Sequence, residues 1–431
     1  MRSLAFYKRP KYIFKRGILM LLEFSCSNFR SIKNPITLSM IATNDSTYEN
    51  ELIHTDKYRI SRIASIYGGN GSGKTSIIRA IGYLQFLVVS SLNYQLGDRI
   101  PATPHKLSLD EPTILNVQFI KNNVRFAYGL SVTKTHVIEE YLYHFPKGRQ
   151  ALIFDRKGDE ISIGDLYIKD SEIAKGILKP NKLFLSCAAN YSKIKEYETA
   201  FMFFKEDLVV YPVEHNNWLD YSVDTLSKDP SIKHDFIDFM QSIGTGLVDV
   251  RTKIEQKRFN AEDLPTEIPD LLKDLITSQD ANIIDVKLLY DRFTLDLQEE
   301  SSGIRKLFEI LCPLIDIIKN DKTLIWDEFE TSFHPCIITD LLTYFQKKQS
   351  NSHSQLIFST HDINLLDLKR FRRDQIWFTE LTAKDRSTDL YSLAELKNVR
   401  KDENIQKGYI SGKYGAIPCL RDEFSQLINL R

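Results

Sequence analysis

The chain has 431 residues, 42% of them hydrophobic, with 57 basic and 57 acidic side chains and so no formal net charge. A chain of this length buries a large core and divides into two or three lobes, and a neutral balance supplies no global field for nucleic acid or an anionic membrane. Five scattered cysteines (Cys26, Cys187, Cys312, Cys336, Cys419), none in a C-x-x-C pair, argue against zinc and a disulfide framework and for a reducing cytoplasm.

Residues 1–19 carry six Lys or Arg and no acid, and lack the apolar core of a secretory signal, so they read as a basic, solvated tail. No apolar run approaches the ~18 residues needed to span a bilayer. From Met20 the alternating "LLEFSCSNF" predicts a first strand, and the apolar run "RIASIYG" predicts a buried one. "KTSIIRAIGYLQFLVVSSL" predicts the helix that follows, so 20–92 form the first half of an α/β core. In 93–170, "TILNVQFI" and "VRFAYGLSV", joined by Lys-Asn-Asn, open a meander continued by "EEYLYHF" and "QALIFDRKGDEISI", an antiparallel β lobe. Helical patterns broken by Pro180, Pro212, Pro230, Pro265 and Pro269 predict a helical insertion over 171–286, with "NAEDLPTEIPD" as a loop. In 287–431 the strands "VKLLYDRFTLDL", "KTLIWDE", "SQLIFSTH" and "DQIWFTE" alternate with helical stretches. That is the pattern of a mixed, mostly parallel sheet built from both chain ends. There is no sustained heptad and no internal repeat.

"SIYGGNGSGKTS" places Gly68 four residues before Gly73-Lys74-Thr75, between a strand and a helix, which is the spacing and context of a phosphate loop. Glycines let backbone N–H groups approach anionic oxygens, and the helix N-terminus adds its dipole. The nucleotide-binding candidates are Gly68, Asn70, Gly71, Ser72, Gly73, Lys74, Thr75 and Ser76, with Lys74 neutralising the β- and γ-phosphates. The implied ligands are ATP or GTP and Mg²⁺, the metal held by the Thr75 hydroxyl and by Asp327 at the end of "TLIWDE". Glu328 follows directly, placed to orient and deprotonate a water, which favours hydrolysis over transfer to a bound alcohol. "LIFSTHD" delivers His361 to a strand end, where an imidazole could report on the γ-phosphate, although a lone strand-end histidine is more often structural. Ser301-Ser302-Gly303 opens a helix upstream of the Asp-Glu strand. It is either a plain N-cap or an anion site facing the nucleotide of another subunit.

In this order, Gly68–Thr75, Ser301-Ser302-Gly303, Asp327-Glu328 and His361 resemble the ABC-type ATPases of the SMC, Rad50 and RecF group, as does "NFRSI" at Asn28–Ile32. Over about Met20 to Pro418 the chain is most similar to the bacterial AAA15/AAA21-type, RloA- and AbiL-like ATPases of anti-phage and abortive-infection systems. The matching stretches are "FAYGLSV", "IEEYLY", "LFLS", "EESSGIRKLF", "DEFETSFHP", "RRDQIWF" and "YISGKYGAIP". Ser302 stands where the transporter form of the signature has its first glycine, Phe333 where leucine is usual, and no glutamine-loop residue is assigned. The resemblance implies an ABC-type ATPase core using ATP and Mg²⁺, with Glu328 and His361 catalytic and Ser301–Gly303 completing the site in trans. It further implies a homodimer or higher homo-oligomer, a separately encoded effector (nuclease or toxin) and a phage trigger protein, in the cytoplasm and off the membrane. Only 70 residues follow His361, too few for an added nuclease fold, so the effector is expected to be another polypeptide.

Two other readings compete. A RecF-like repair ATPase would bind DNA directly, through a stretch such as "DLKRFRRDQIWF" with Lys369, Arg370, Arg372 and Arg373, which reads twice as readily as a structural turn. A non-hydrolysing scaffold has little use for Glu328. "SGKYGAIP", Ser411 to Pro418, reads as a docking or packing element.

Overall fold

Apolar alternation from Met20 produces β1 (Met20–Ser27), followed by β2 (Ile36–Ser39) and the short pair β3 (Ile53–His54) and β4 (Arg59–Ile60). The continuous apolar run of β5 (Ile63–Tyr67) is buried at every position and leads into α1 (Lys74–Ser90). A meander follows: β6 (Thr113–Lys121), β7 (Val124–Val132), β8 (Val137–Phe145), β9 (Ala151–Lys157) and β10 (Glu160–Ile163). Asn122 and Asn123, both at positive φ, close the β6–β7 hairpin with the backbone that its right-handed twist requires. Helices α2 (Glu172–Ile177), α3 (Phe184–Tyr191) and α4 (Lys195–Met202) precede β11 (Leu208–Tyr211). Then come α5 (Trp218–Lys228), α6 (Pro230–Ser242), β12 (Asp249–Arg258), β13 (Asp280–Leu289) and β14 (Thr294–Asp296). The remainder is α7 (Ser302–Lys319), β15 (Thr323–Trp326), α8 (Pro335–Gln346), β16 (Gln355–Ser359), β17 (Ile376–Leu381), β18 (Thr388–Ser392) and α9 (Ile405–Ile410). This computed structural model describes residues 17–211, 218–258, 280–346, 353–397, 399–400 and 403–417. The basic tail up to residue 16, the loop "NAEDLPTEIPD" and Cys419 lie outside the described residues.

Two sheets organise the chain. One has the order β11-β15-β16-β5-β17-β18 and is parallel except where β18 returns against β17. The other is antiparallel throughout, in the order β10-β9-β8-β7-β6-β1-β2. The fold is therefore the expected α/β core, fed by both chain ends, with an antiparallel lobe.

The strands divide differently from the expected segments in three places. β1 and β2 belong to the antiparallel sheet, so that lobe is not confined to 93–170. β11, inside the expected helical insertion, is an edge strand of the parallel sheet, and the insertion also holds β12 and β13. "VKLLYDRFTLDL" was expected in the core sheet, but it forms β13 and β14, which pair, among the described residues, only with β12 and each other in a separate three-stranded antiparallel sheet. The physical reason is common to all three. Alternation reports which side of a strand is buried, not which strand it will pair with.

Side chains from β1, β6 and α1–α4 form one apolar cluster between the sheets, including Phe119 stacked on Phe203 at 3.9 Å between ring centres. Lys74–Asn93, α1 with its last turn, is long and apolar enough to cross a membrane, contrary to the reading that no such run exists. Ile77, Ile78, Ile81, Leu84, Leu87 and Val88 on it are buried in that cluster, which accounts for its composition. Gln355 ties the sheets directly. From β16 its side chain accepts from the Leu21 N–H at 2.6 Å and donates to the carbonyls of Leu21 and Ser61 at 3.0 and 3.1 Å.

Candidate nucleotide site

The parallel strands β15, β16 and β5 bring three sequence motifs to one sheet edge. β5 ends at Tyr67 and releases the chain into Gly68–Gly73, after which α1 begins at Lys74. Gly73 is the N-cap of α1 at φ 107°, and a Cβ there would lie 2.0 Å from the Thr388 hydroxyl, so only glycine fits both the backbone and the neighbour. The first turn of α1 holds no acidic side chain, which leaves its dipole free to favour an anion. Lys74 is buried, its ammonium donating to the carbonyls of Gly68 at 2.7 Å and Gly69 at 3.2 Å. Burial pushes that ammonium down to about 8, against the opposing pull of Glu330, Asp327 and Glu328. Thr75 is half-buried beside it, while Asn70 and Gly71 are exposed at the tip of the loop.

The acidic pair is cross-tied to the next strand. Ser359, the last residue of β16, donates to Asp327 Oδ1 at 2.5 Å and accepts from the Glu328 N–H at 2.8 Å. Glu328 itself adopts φ 51°, a left-handed conformation uncommon outside glycine, and its side chain is exposed. Strain held at a carboxylate by a neighbouring strand is the kind of backbone outlier that accompanies active sites. Two residues on, Glu330 Oε1 accepts from the His361 N–H at 2.6 Å, and its second oxygen is buried with no hydrogen-bond partner among the described residues. Burial and then Lys74 push the His361 imidazole below its ordinary value, while Glu330, Glu328 and Asp327 pull it up. It is therefore mainly neutral at pH 7, able to donate from one nitrogen and accept at the other.

The structure thus gathers Gly68–Ser76, Asp327, Glu328 and His361. Ser301, Ser302 and Gly303 lie at the exposed start of α7. Ser301 is the N-cap, its hydroxyl accepting from the Ile304 N–H at 3.3 Å, and a Cβ on Gly303 would meet open space. Among the described residues no hydrogen bond or ion pair links this helix start to the loop of its own chain.

Sequence reasoning missed several participants. Ser359 and Glu330 lay inside quoted motifs without a role. Thr379 on β17 bonds the Ser72 hydroxyl at 2.6 Å, and Thr388 on β18 bonds the Ser72 carbonyl at 3.1 Å and Ser31 Oγ at 2.7 Å. Ser31 in turn donates to Ser76 Oγ at 2.8 Å, which ties "NFRSI" to the start of α1. Only "NFRSI" left a signal in the sequence. Two of the four basic residues near Arg372 are held by carboxylates, while Lys369 is exposed. Arg372 is buried and paired with Asp374 at 2.8 Å, and Arg373 pairs with Asp45 at 3.0 Å.

Residues 63–367 match the family described as "AAA domain, putative AbiEii toxin, Type IV TA system". The chain belongs to this AAA family. Gly68–Thr75, Asp327, Glu328 and His361 all fall within the matched span, as does most of the antiparallel lobe. Among solved structures, this AAA protein is similar to an Smc head bound to the C-winged helix domain of ScpA, at 12% identity, 86% of this chain, 97% of that one and a TM-score of 0.40. It is also similar to the SMC head domain from Thermotoga maritima, at 13% identity, 86% and 98% coverage and a TM-score of 0.38. A third is the Smc head with coiled coil and joint derived from Pyrococcus yayanosii, at 11%, 87%, 97% and 0.40. No curated protein matches the sequence.

The residues present fit Mg-ATP. A glycine-bounded cradle faces the bare N-terminus of α1, a buried lysine lies at its floor, and a hydroxyl (Thr75) and a carboxylate (Asp327) are of the oxygen-donor type that Mg²⁺ takes.

Proposed function

We propose that the chain is a Mg²⁺-dependent ATPase that oligomerises around ATP and controls a separately encoded effector in bacterial anti-phage defence. One observation carries the hydrolytic part: Ser359 holds Asp327 and Glu328 in one arrangement at the end of adjacent parallel strands, within electrostatic reach of Lys74. ATP is the substrate. Backbone N–H groups of the loop and the ammonium of Lys74 hold its phosphates, and Thr75 and Asp327 would hold Mg²⁺, which neutralises phosphate charge when bound. Glu328 orients a water and takes its proton as the oxygen attacks the terminal phosphorus. The bond to ADP breaks with its electron pair on ADP. His361 stabilises the terminal phosphate and reports its presence.

Ser302 and Gly303, exposed at the start of α7 and with no hydrogen bond or ion pair to their own loop among the described residues, support a site completed in trans. The defence role and the effector are supported by the family's description, which names a toxin and a toxin–antitoxin system. The DNA-binding reading is weakened, because Arg372 and Arg373, two of its four basic residues, are engaged by carboxylates.

The test is Glu328→Gln. It should bind ATP with wild-type affinity by calorimetry and hydrolyse it about 10²–10⁴-fold more slowly, the usual cost of losing a general base. Turnover at the wild-type rate would assign the base elsewhere.

A further inference from the structure

The carboxy-proximal stretch "NIQKGYISGKYGAI", Asn404–Ile417, has no part in the chemistry above, yet it is built onto the phosphate loop. The Gly69 N–H donates to the carbonyl of Ala416 at 2.9 Å, and the Tyr409 hydroxyl donates to the same carbonyl at 2.9 Å. Ala416 is buried and holds φ 58°, a left-handed conformation that a non-glycine residue adopts only when its surroundings over-determine it. Those surroundings are specific. The rings of Tyr409 and Tyr414 both stack on Phe378 of β17, at 5.6 and 5.9 Å between centres. The Tyr414 carbonyl accepts from the Tyr391 hydroxyl of β18 at 2.7 Å, and the Tyr414 hydroxyl donates to Glu403 at 2.7 Å. A Cβ on Gly408 would lie 2.6 Å from the Tyr414 hydroxyl, so α9 and the following turn pack without clearance.

The seat of this cap is the β17–β18 hairpin, the same hairpin whose Thr379 and Thr388 hold Ser72. The phosphate loop is therefore braced at both ends from one hairpin: at Ser72 by threonines, and at Gly69 through Ala416. Between the braces lies a cleft of about 210 Å³ lined by Gly68, Gly69, Asn70, Thr360, His361 and Tyr409. Tyr409 thus belongs to the same wall as the histidine assigned to the terminal phosphate.

We propose that the segment Asn404–Ile417 is a positioning element of the nucleotide site. It presets the Gly69–Asn70 turn through the Ala416 carbonyl and supplies the Tyr409 ring as an apolar wall beside His361. A wall that excludes water strengthens each charge interaction with the phosphates, and a preset turn removes an ordering cost from binding. Tyr409 and Ala416 act through the loop, so their effect belongs on nucleotide affinity and not on the chemical step.

This inference rests on the reading of Gly68–Thr75 as the phosphate loop, and one experiment separates the two. Calorimetry with ATP and with ADP, and steady-state ATP hydrolysis, are measured for the full chain, Tyr409→Phe and Glu403→Gln. Tyr409→Phe keeps the ring and deletes only the bond to Ala416. It should raise Kd and the KM for ATP about three- to tenfold, the worth of one hydrogen bond, with kcat unchanged within about twofold. Glu403→Gln loosens the cap from outside the cleft, so it should move Kd and KM the same way by a smaller factor, and it serves alone if Tyr409→Phe does not fold. A lowered melting temperature with unchanged Kd and KM in the folded variants would make the cap a structural prop and overturn the proposal. So would a loss confined to kcat. A wild-type chain that binds neither nucleotide would overturn the reading of the loop itself.

Discussion

Ser359 does two jobs with one hydroxyl. It donates to the carboxylate proposed to hold Mg²⁺ and accepts from the backbone of the proposed base. Ser359→Ala would strip both partners at once, freeing Asp327 to rotate and removing the tether on the left-handed Glu328. At about 1–2 kcal/mol for hydrogen bonds of this kind, kcat should fall about tenfold or more, while the fold, half of it remote from this strand end, stays intact. Steady-state hydrolysis at saturating ATP checks this, and a kcat equal to wild type would make the tie irrelevant to chemistry. At the other pole, Lys74→Ala should abolish ATP binding measured by calorimetry. It removes the buried cation on the floor of the cradle that balances phosphate charge.

Between the two sheets, β16 is a linking element. Its first residue, Gln355, bonds both backbone groups of Leu21, and its last, Ser359, holds the acidic turn. One strand of the parallel core therefore touches the antiparallel lobe at one end and the proposed catalytic turn at the other, a direct physical connection where no glutamine-loop residue could be assigned. Gln355→Leu should leave the N–H and carbonyl of Leu21 buried and without these partners, and destabilise the protein by about 2–4 kcal/mol, since each orphaned group costs about 1–3 kcal/mol. Urea unfolding measures the loss. An unchanged midpoint would mean that the bonds are replaced by water.

For the whole molecule, the exposed helix start at Ser301–Gly303, proposed to complete the site of another subunit, leads to a mixing experiment. Lys74→Ala chains combined with Ser302→Arg chains, under conditions where subunits exchange, should recover part of the ATPase activity. One of the two interfaces in a mixed pair unites an intact loop with an intact helix start. Mixtures that stay as inactive as either variant alone would argue against a site shared between subunits that work independently. The purified chain should hydrolyse ATP and cut neither DNA nor RNA, because Asp327 and Glu328 are the carboxylates proposed to serve ATP. Cleavage that survives Glu328→Gln in a pure preparation would show a second active centre.

Much of the site is local, and the sequence by itself determined that part. Strand, glycine-bounded loop and helix are contiguous at Ile63–Ser90, and the Asp327-Glu328 pair follows a short apolar run that forms the buried strand β15. The hairpins of the antiparallel lobe were equally legible, because each strand pairs with its neighbour in sequence across a short turn. Tertiary structure alone decided the partners at long range. β1 and β2 joined the antiparallel sheet, β11 left a helical region to edge the parallel one, and β13 stayed out of it. Thr379, Thr388 and Ala416 came to rest on the phosphate loop across more than 300 residues of chain. A strand's periodicity encodes which face is buried, and a hydroxyl or a carbonyl encodes only that it will seek a partner. Which partner it finds is a property of packing, and packing exists only once the sheets have closed on each other.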